Sequence, residues 1–134
     1  MSIKKYAVSP TARLVLVDAR GDAMVNEAGQ EAAVNLFGPG SKEFAKARAA
    51  QNSRMIEKLK AKGKTEQTAE QTAKETAQFL SECTESFENV DYDGLTGPAL
   101  VQAVYTDNSI GFIAENVNKF LGDWANFLPP STKS

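Results

Sequence analysis

The sequence contains no histidine and one cysteine, Cys83, among its 134 residues. The absence of histidine excludes Ser-His-Asp catalysis, Cys-His catalysis and every metal site with a histidine ligand. A single cysteine excludes a disulfide within the chain and a zinc site built from cysteines. Cys83 stands among Phe79, Leu80 and Phe87, a setting that predicts a small buried side chain rather than a reactive thiol.

Long apolar runs and a strong charge excess are also lacking. The longest aliphatic run, residues 14–17, is far shorter than a membrane span. Polar residues interrupt the N-terminal stretch in which a signal peptide would be apolar. With a net charge of −2, the whole molecule is not drawn to nucleic acid or to an anionic membrane. We therefore predict a cytosolic protein that binds neither.

The pattern of apolar residues predicts one α+β domain over residues 1–128, followed by a disordered tail at residues 129–134. Residues 13–19, 23–25 and 33–37 have strand character, and turn residues separate them. They predict a small antiparallel β-meander at the N-terminus. About four helices follow, at residues 41–62, 65–87, 97–105 and 109–123.

The first two predicted helices carry little apolar bulk. In the first, Phe44, Arg48, Met55 and Leu59 form a thin stripe with Ile56 alongside. The second is rich in Ala, Thr, Glu and Gln, so it favours close helix packing or partial exposure. Because such a helix buries little by itself, we expect the chain to form a homo-oligomer.

The sequence LFGPGSKEF at residues 36–44 has the glycines of a phosphate-binding loop without its order. A P-loop needs Lys followed by Ser or Thr, whereas Ser41 precedes Lys42 here, and Pro39 removes one backbone donor. A tight turn followed by a helix that Ser41 caps explains the sequence better. Neither a nucleotide nor another cofactor is predicted.

Residues 89–94 are similar to the first half of an EF-hand loop, with oxygen ligands at alternate positions before Gly94. The twelfth position, where a bidentate Glu belongs, is Leu100, so the segment is predicted to be a connecting turn. The Arg-Gly-Asp sequence at residues 20–22 is likewise interpreted as a turn. Alternating lysines from Lys58 to Lys64 fit a solvated helix end better than a nucleic-acid site.

The C-terminal cluster Trp124, Phe127 and Leu128 places three large apolar residues against a short chain end. The cluster can fold back as an anchor for the last helix. It can also face a partner, since Trp is enriched at binding hot spots. Both interpretations stay open at this point, and these three residues are the only candidates for a site.

Five segments occur in a characteristic order along the chain: LFGPGSKEF at residues 36–44, FEN at 87–89, GPALVQAVY at 97–105, IAENV at 113–117 and DWANF at 123–127. In these segments the sequence resembles the tail assembly chaperones of long-tailed bacteriophages. The resemblance covers most of the chain except the Thr/Glu/Gln/Ala segment. Phe87 stands where this family favours Trp, and Trp124 stands where a charged residue is commoner.

Membership would imply a non-enzymatic factor in the host cytoplasm that is absent from the mature virion. Such proteins bind and solubilise the tape measure protein and help tail tube subunits polymerise around it. An extended frameshift product of the same gene is a further implied partner. Two other classes remain: a structural tail component that stays in the virion, and a small enzyme that uses Lys and carboxylates.

Overall fold

The computed structural model describes residues 1–62 and 68–129, which form one mixed α+β domain. The predicted fold class is confirmed. In chain order the strands and α-helices are β1 (Thr11–Val15), β2 (Ala33–Phe37), α1 (Lys42–Lys62), α2 (Ala69–Glu82), β3 (Thr84–Glu88), α3 (Gly97–Thr106) and α4 (Gly111–Leu121). Short 3₁₀-helices occupy Ile3–Tyr6, Asn108–Ile110 and Trp124–Phe127.

The sheet is antiparallel, with β2 between β1 and β3. Its third strand is not the predicted segment at residues 23–25, which makes only the isolated bridges Val17↔Ala23 and Val25↔Glu31. Asp18 closes one flanking turn by accepting hydrogen bonds from two backbone N–H groups, and Asn26 does the same in the next turn. The residues left between these two turns are too few to form a full strand.

The third strand instead comes from the end of the predicted second helix. That helix was expected to reach residue 87, but α2 ends at Glu82 and the next residue, Cys83, caps it. Thr84 donates its hydroxyl proton to the Leu80 carbonyl at 2.8 Å. Phe87 then lies opposite Val34 in the sheet. Pairing with β2 therefore overrides the helical pattern of residues 65–87.

The helix starts follow local signals. The Ser41 hydroxyl accepts a hydrogen bond from the Phe44 N–H at 3.0 Å and donates one to the Gly38 carbonyl at 2.7 Å, which confirms the predicted cap. Thr68 and Gln71 form a reciprocal capping box at the start of α2. The predicted start of that helix at residue 65 lies outside the described residues, as do residues 130–134 of the predicted disordered tail.

The two C-terminal helices match their predictions closely. Pro98 occupies the first turn of α3. The break predicted at residues 106–108 is narrower in the structure, where only Asp107 separates α3 from the following 3₁₀-helix. Asp107 accepts a hydrogen bond from the Ser109 N–H at 2.9 Å, which caps the following 3₁₀-helix. Within the described residues, no helix combines the length and apolar character needed to cross a bilayer.

The core lies between one face of the sheet and α2, α3 and α4. The largest fully buried side chains come from β2, from α2 and its C-terminal cap, from α4 and from the last 3₁₀-helix. They are Val34, Leu36, Leu80, Cys83, Val117 and Phe127. α1 contributes only its first turns, through Ala47 and through an edge-to-face contact of Phe44 with Phe79 at 5.6 Å. The stripe predicted for α1 is therefore split, because Met55, Ile56 and Leu59 are exposed.

Cys83 is fully buried, as predicted, and burial raises the pKa of its thiol to about 12. We expect the native protein to react with the thiol reagent DTNB at pH 8 at least about a thousandfold more slowly than the unfolded chain, because the thiolate is the reactive form. Stopped-flow absorbance with and without guanidinium measures both rates. Equal rates would show that Cys83 is accessible in the native state.

Candidate partner-binding surface

Local hydrogen bonds explain why the pKa values of Asp18 and Glu88 are lowered. Backbone N–H groups of Asp22 and Arg20 lower the pKa of Asp18 within its turn. Hydrogen bonds from Asn35 and Arg13 lower the pKa of Glu88 across the sheet. In the part of the chain that the structure describes, no three acidic or cysteine side chains come together in a way that would hold a metal ion.

The segment similar to an EF-hand is a turn, as predicted. Asp91 accepts a hydrogen bond from the Gly94 N–H at 3.2 Å, and the Leu95 N–H bonds the Tyr92 carbonyl at 3.0 Å. Leu100, at the position of the missing ligand, is a buried core residue of α3. Leu100, which replaces the expected calcium ligand, therefore packs in the core.

The C-terminal cluster is divided between core and surface. Phe127 is fully buried, and its ring meets Phe120 at 5.4 Å in an edge-to-face arrangement. The Phe127 ring lies directly against Gly38 and fills the space that a Cβ atom at position 38 would need. The Ser9 N–H donates a hydrogen bond to the Phe127 carbonyl at 2.7 Å. In the structure, Phe127 therefore anchors the chain end to the core and does not face outward.

Trp124 and Leu128 point away from the core and are 57% and 41% exposed. The turn that carries Trp124 is nevertheless fixed. Asp123 accepts a hydrogen bond from the Ala125 N–H at 3.0 Å, and Asn126 donates one to the Phe120 carbonyl at 3.0 Å. An indole held on a fixed turn, with more than half its surface in water, is typical of an interface anchor.

Two further residues adjoin Trp124. A methyl group on Gly40 would lie 3.8 Å from the Trp124 ring and 2.8 Å from the Val8 Cγ2 atom. Trp124 and Val8 therefore both lie beside Gly40, and we call Val8, Gly40, Trp124 and Leu128 the terminal patch. The N-terminal segment that carries Val8 is tied to the Gly-Pro-Gly turn, since the Gly38 N–H donates to the Pro10 carbonyl at 2.8 Å.

No family model, curated protein or solved structure matches this chain.

An apolar cleft of about 470 Å³ lies between α4 and the chain that runs from β1 to Val17. Leu14 and Val17 line it on one side and Ile113 and Phe120 on the helix side. Asn126, from the Trp124–Phe127 turn, also lines the cleft. A cleft of this size and composition accepts apolar side chains of a ligand or partner. The terminal patch and the cleft are the two parts of the candidate site. No residue belongs to both, but Asp123, which lines the cleft, directly precedes Trp124 in the chain.

Sequence reasoning found Trp124 and Leu128 but not Val8, Gly40 or the cleft. Gly40 carried a usable signal, because it belongs to the Gly-Pro-Gly turn. That signal was interpreted only as backbone freedom, whereas the structure uses Gly40 for a close approach of Val8. The cleft had no local signal, because its two walls are about a hundred residues apart in the chain.

Proposed function

We propose that this chain is a non-enzymatic tail assembly chaperone that binds the tape measure protein of a long-tailed bacteriophage. It would keep that protein soluble in the host cytoplasm and help tail tube subunits polymerise around it. Further copies of the chain and an extended frameshift product are the other proposed partners. The finished virion would not contain it. The sequence resemblance supports this proposal over a retained tail component or an enzyme.

The observation that carries the proposal is the exposed Trp124 on its fixed turn. Trp is highly buried on average in folded proteins and is enriched at binding hot spots, so an indole that is 57% exposed favours a binding role. The turn is anchored by Phe127, so little backbone freedom is lost when a partner covers Trp124. A preorganised aromatic of this kind suits a chaperone that must capture apolar segments of an unassembled partner.

The test is co-expression with the tape measure protein of the same genome. We expect the wild-type chain to keep the tape measure protein in the soluble fraction, and the double variant Trp124→Ala, Leu128→Ala to leave most of it in the pellet. Val25→Ala is the matched control, because Val25 is also an exposed apolar residue, at 58%, but lies in the loop between β1 and β2. This control should behave like wild type.

The double variant must remain folded for the test to count, and a thermal melt checks this. A folded double variant that still solubilises the tape measure protein would show that the terminal patch is not the binding surface. Failure of the wild-type chain itself to solubilise the tape measure protein would contradict the proposed function as a whole.

A further inference from the structure

Helix α1 faces α2 with charged side chains along its second half. Arg54 Nε lies 2.6 Å from Glu75 Oε1, and Lys58 Nζ lies 3.2 Å from Glu75 Oε2. Arg54 also reaches Glu82 at 3.5 Å. Burial opposes the ionisation of Glu75, but the hydrogen bonds from Arg54 and Lys58 outweigh it, so the pKa of Glu75 is lowered. The contact between the two helices is therefore ionic here.

The opposite face of α1 is apolar and open to water. Met55, Ile56 and Leu59 are 50%, 51% and 38% exposed. An amphipathic helix in a monomer normally places such residues inward and its charges outward. In the second half of α1 the orientation is reversed, so these three apolar side chains are only partly covered by the described residues.

The spacing on this open face is that of a coiled-coil seam. Ala45, Ala49, Asn52, Ile56 and Leu59 follow one another at intervals of four, three, four and three residues, and all five are exposed. Alternating intervals of four and three place side chains in line along one side of a helix. We call these five residues the α1 seam.

The positions that flank the α1 seam are basic or uncharged. Lys46, Ser53 and Lys60 lie along one side, and Arg48 and Met55 along the other. The Arg48 guanidinium lies over the Phe79 ring at 4.6 Å, so Lys46 and Lys60 are the basic residues that face outward. No acidic residue occupies either flank. The whole helix has seven basic and two acidic residues, a net charge of +5 within a chain of net charge −2.

We propose that the α1 seam docks an amphipathic helix of another protein whose flanking positions are acidic. Charges beside a seam select the partner, since opposite charges attract across it and like charges repel. An antiparallel second copy of α1 is disfavoured because its flank would place Lys46 against Lys60. A parallel second copy gains no charge attraction, because Arg48 would face Ser53 and Lys60 would face Met55. An anionic membrane is disfavoured because the seam has no aromatic residue, which interfacial helices commonly carry.

This inference is independent of the proposed function, because no residue of the terminal patch belongs to the α1 seam. The ionic contact between α1 and α2 also supports the inference. Arg54 and Lys58 form ion pairs with Glu75 and Glu82 within the protein, whereas Lys46 and Lys60 can face a partner.

The experiment uses two synthetic helical peptides of about four heptads, with Ile and Leu in the seam. One peptide has Glu at all flanking positions and the other has Lys. We expect the full chain to bind the Glu peptide with micromolar affinity, because a seam of about two heptads buries less than a standard interface. Binding to the Lys peptide should be weaker by at least about tenfold. Fluorescence anisotropy of labelled peptides measures both affinities.

Two variants test the seam itself. Ile56→Ser with Leu59→Ser should weaken binding of the Glu peptide by about tenfold or more, since a few apolar anchors carry most of the binding energy of an interface. Lys46→Glu with Lys60→Glu should reverse the preference and favour the Lys peptide. Val25→Ser, a change of an exposed apolar residue outside the helix, should leave binding unchanged. All substituted residues are exposed, so circular dichroism should show folded variants.

Several results would overturn the inference. These are no binding of the Glu peptide, equal binding of both peptides, or binding that survives the double Ser substitution. Binding to phosphatidylserine vesicles in place of the peptide, lost with Ile56→Ser and Leu59→Ser, would identify a membrane surface instead. A dimer that dissociates with the same substitutions would identify a second copy as the occupant.

Discussion

We expect Phe127→Ala to lower the free energy of unfolding by about 3–5 kcal/mol, as large-to-small changes of a buried aromatic do. Phe127 is fully buried and touches both the Phe120 ring and the backbone at Gly38. Loss of the ring leaves a cavity between α4 and the Gly-Pro-Gly turn. The total stability of a domain is about 5–15 kcal/mol, so this loss is a large part of it.

Trp124→Ala is the matched comparison, three residues away on the same turn. We expect it to cost about 1 kcal/mol or less, because most of the indole is already in water and its removal creates little cavity. Urea unfolding followed by circular dichroism measures both variants. Equal losses for the two variants would mean that the buried and exposed positions are assigned wrongly. A large loss for Trp124→Ala alone would mean that the anchor is Trp124.

The sequence alone predicted where most elements begin, because caps and turn residues act over a few positions. Ser41 at the start of α1 and Pro98 in the first turn of α3 are examples. It failed for β3, since the partner of Phe87 in the sheet is Val34, more than fifty residues earlier. Helical periodicity extends through residue 87, and only that distant pairing shows that a strand replaces it.

The same limit applies to the candidate site. Local sequence marked Trp124, Phe127 and Leu128 as unusual but did not determine whether each side chain faces the core or the solvent. The direction of Phe127 is set by Gly38 and Phe120, of which the first belongs to a different part of the chain. In α1, likewise, the apolar stripe was visible from the sequence. The stripe faces outward because Glu75 and Glu82 of α2 form ion pairs with the opposite face of α1.

Substitution of Gly38 should also have a large effect, and for a reason other than backbone freedom. The backbone of Gly38 is not in the left-handed region, so alanine is tolerated conformationally. Its Cβ atom, however, would occupy space that the Phe127 ring fills. That ring is fully buried and packs against Phe120, so a shift that makes room for the methyl group disturbs this packing. We expect Gly38→Ala to destabilise the protein by about 1–3 kcal/mol through overpacking.

A double-mutant cycle with Phe127→Leu tests this mechanism. The smaller Leu side chain makes room for the added methyl group, so Gly38→Ala should cost clearly less in the Phe127→Leu background than in wild type. Gly111→Ala is the control glycine: nothing lies within 4 Å of its added Cβ, and at the start of α4 we expect it to be neutral or stabilising by about 0.5–1 kcal/mol. Urea unfolding of the four members of the cycle supplies the coupling energy. Strict additivity would contradict a direct clash, because two sites that do not touch lose stability independently.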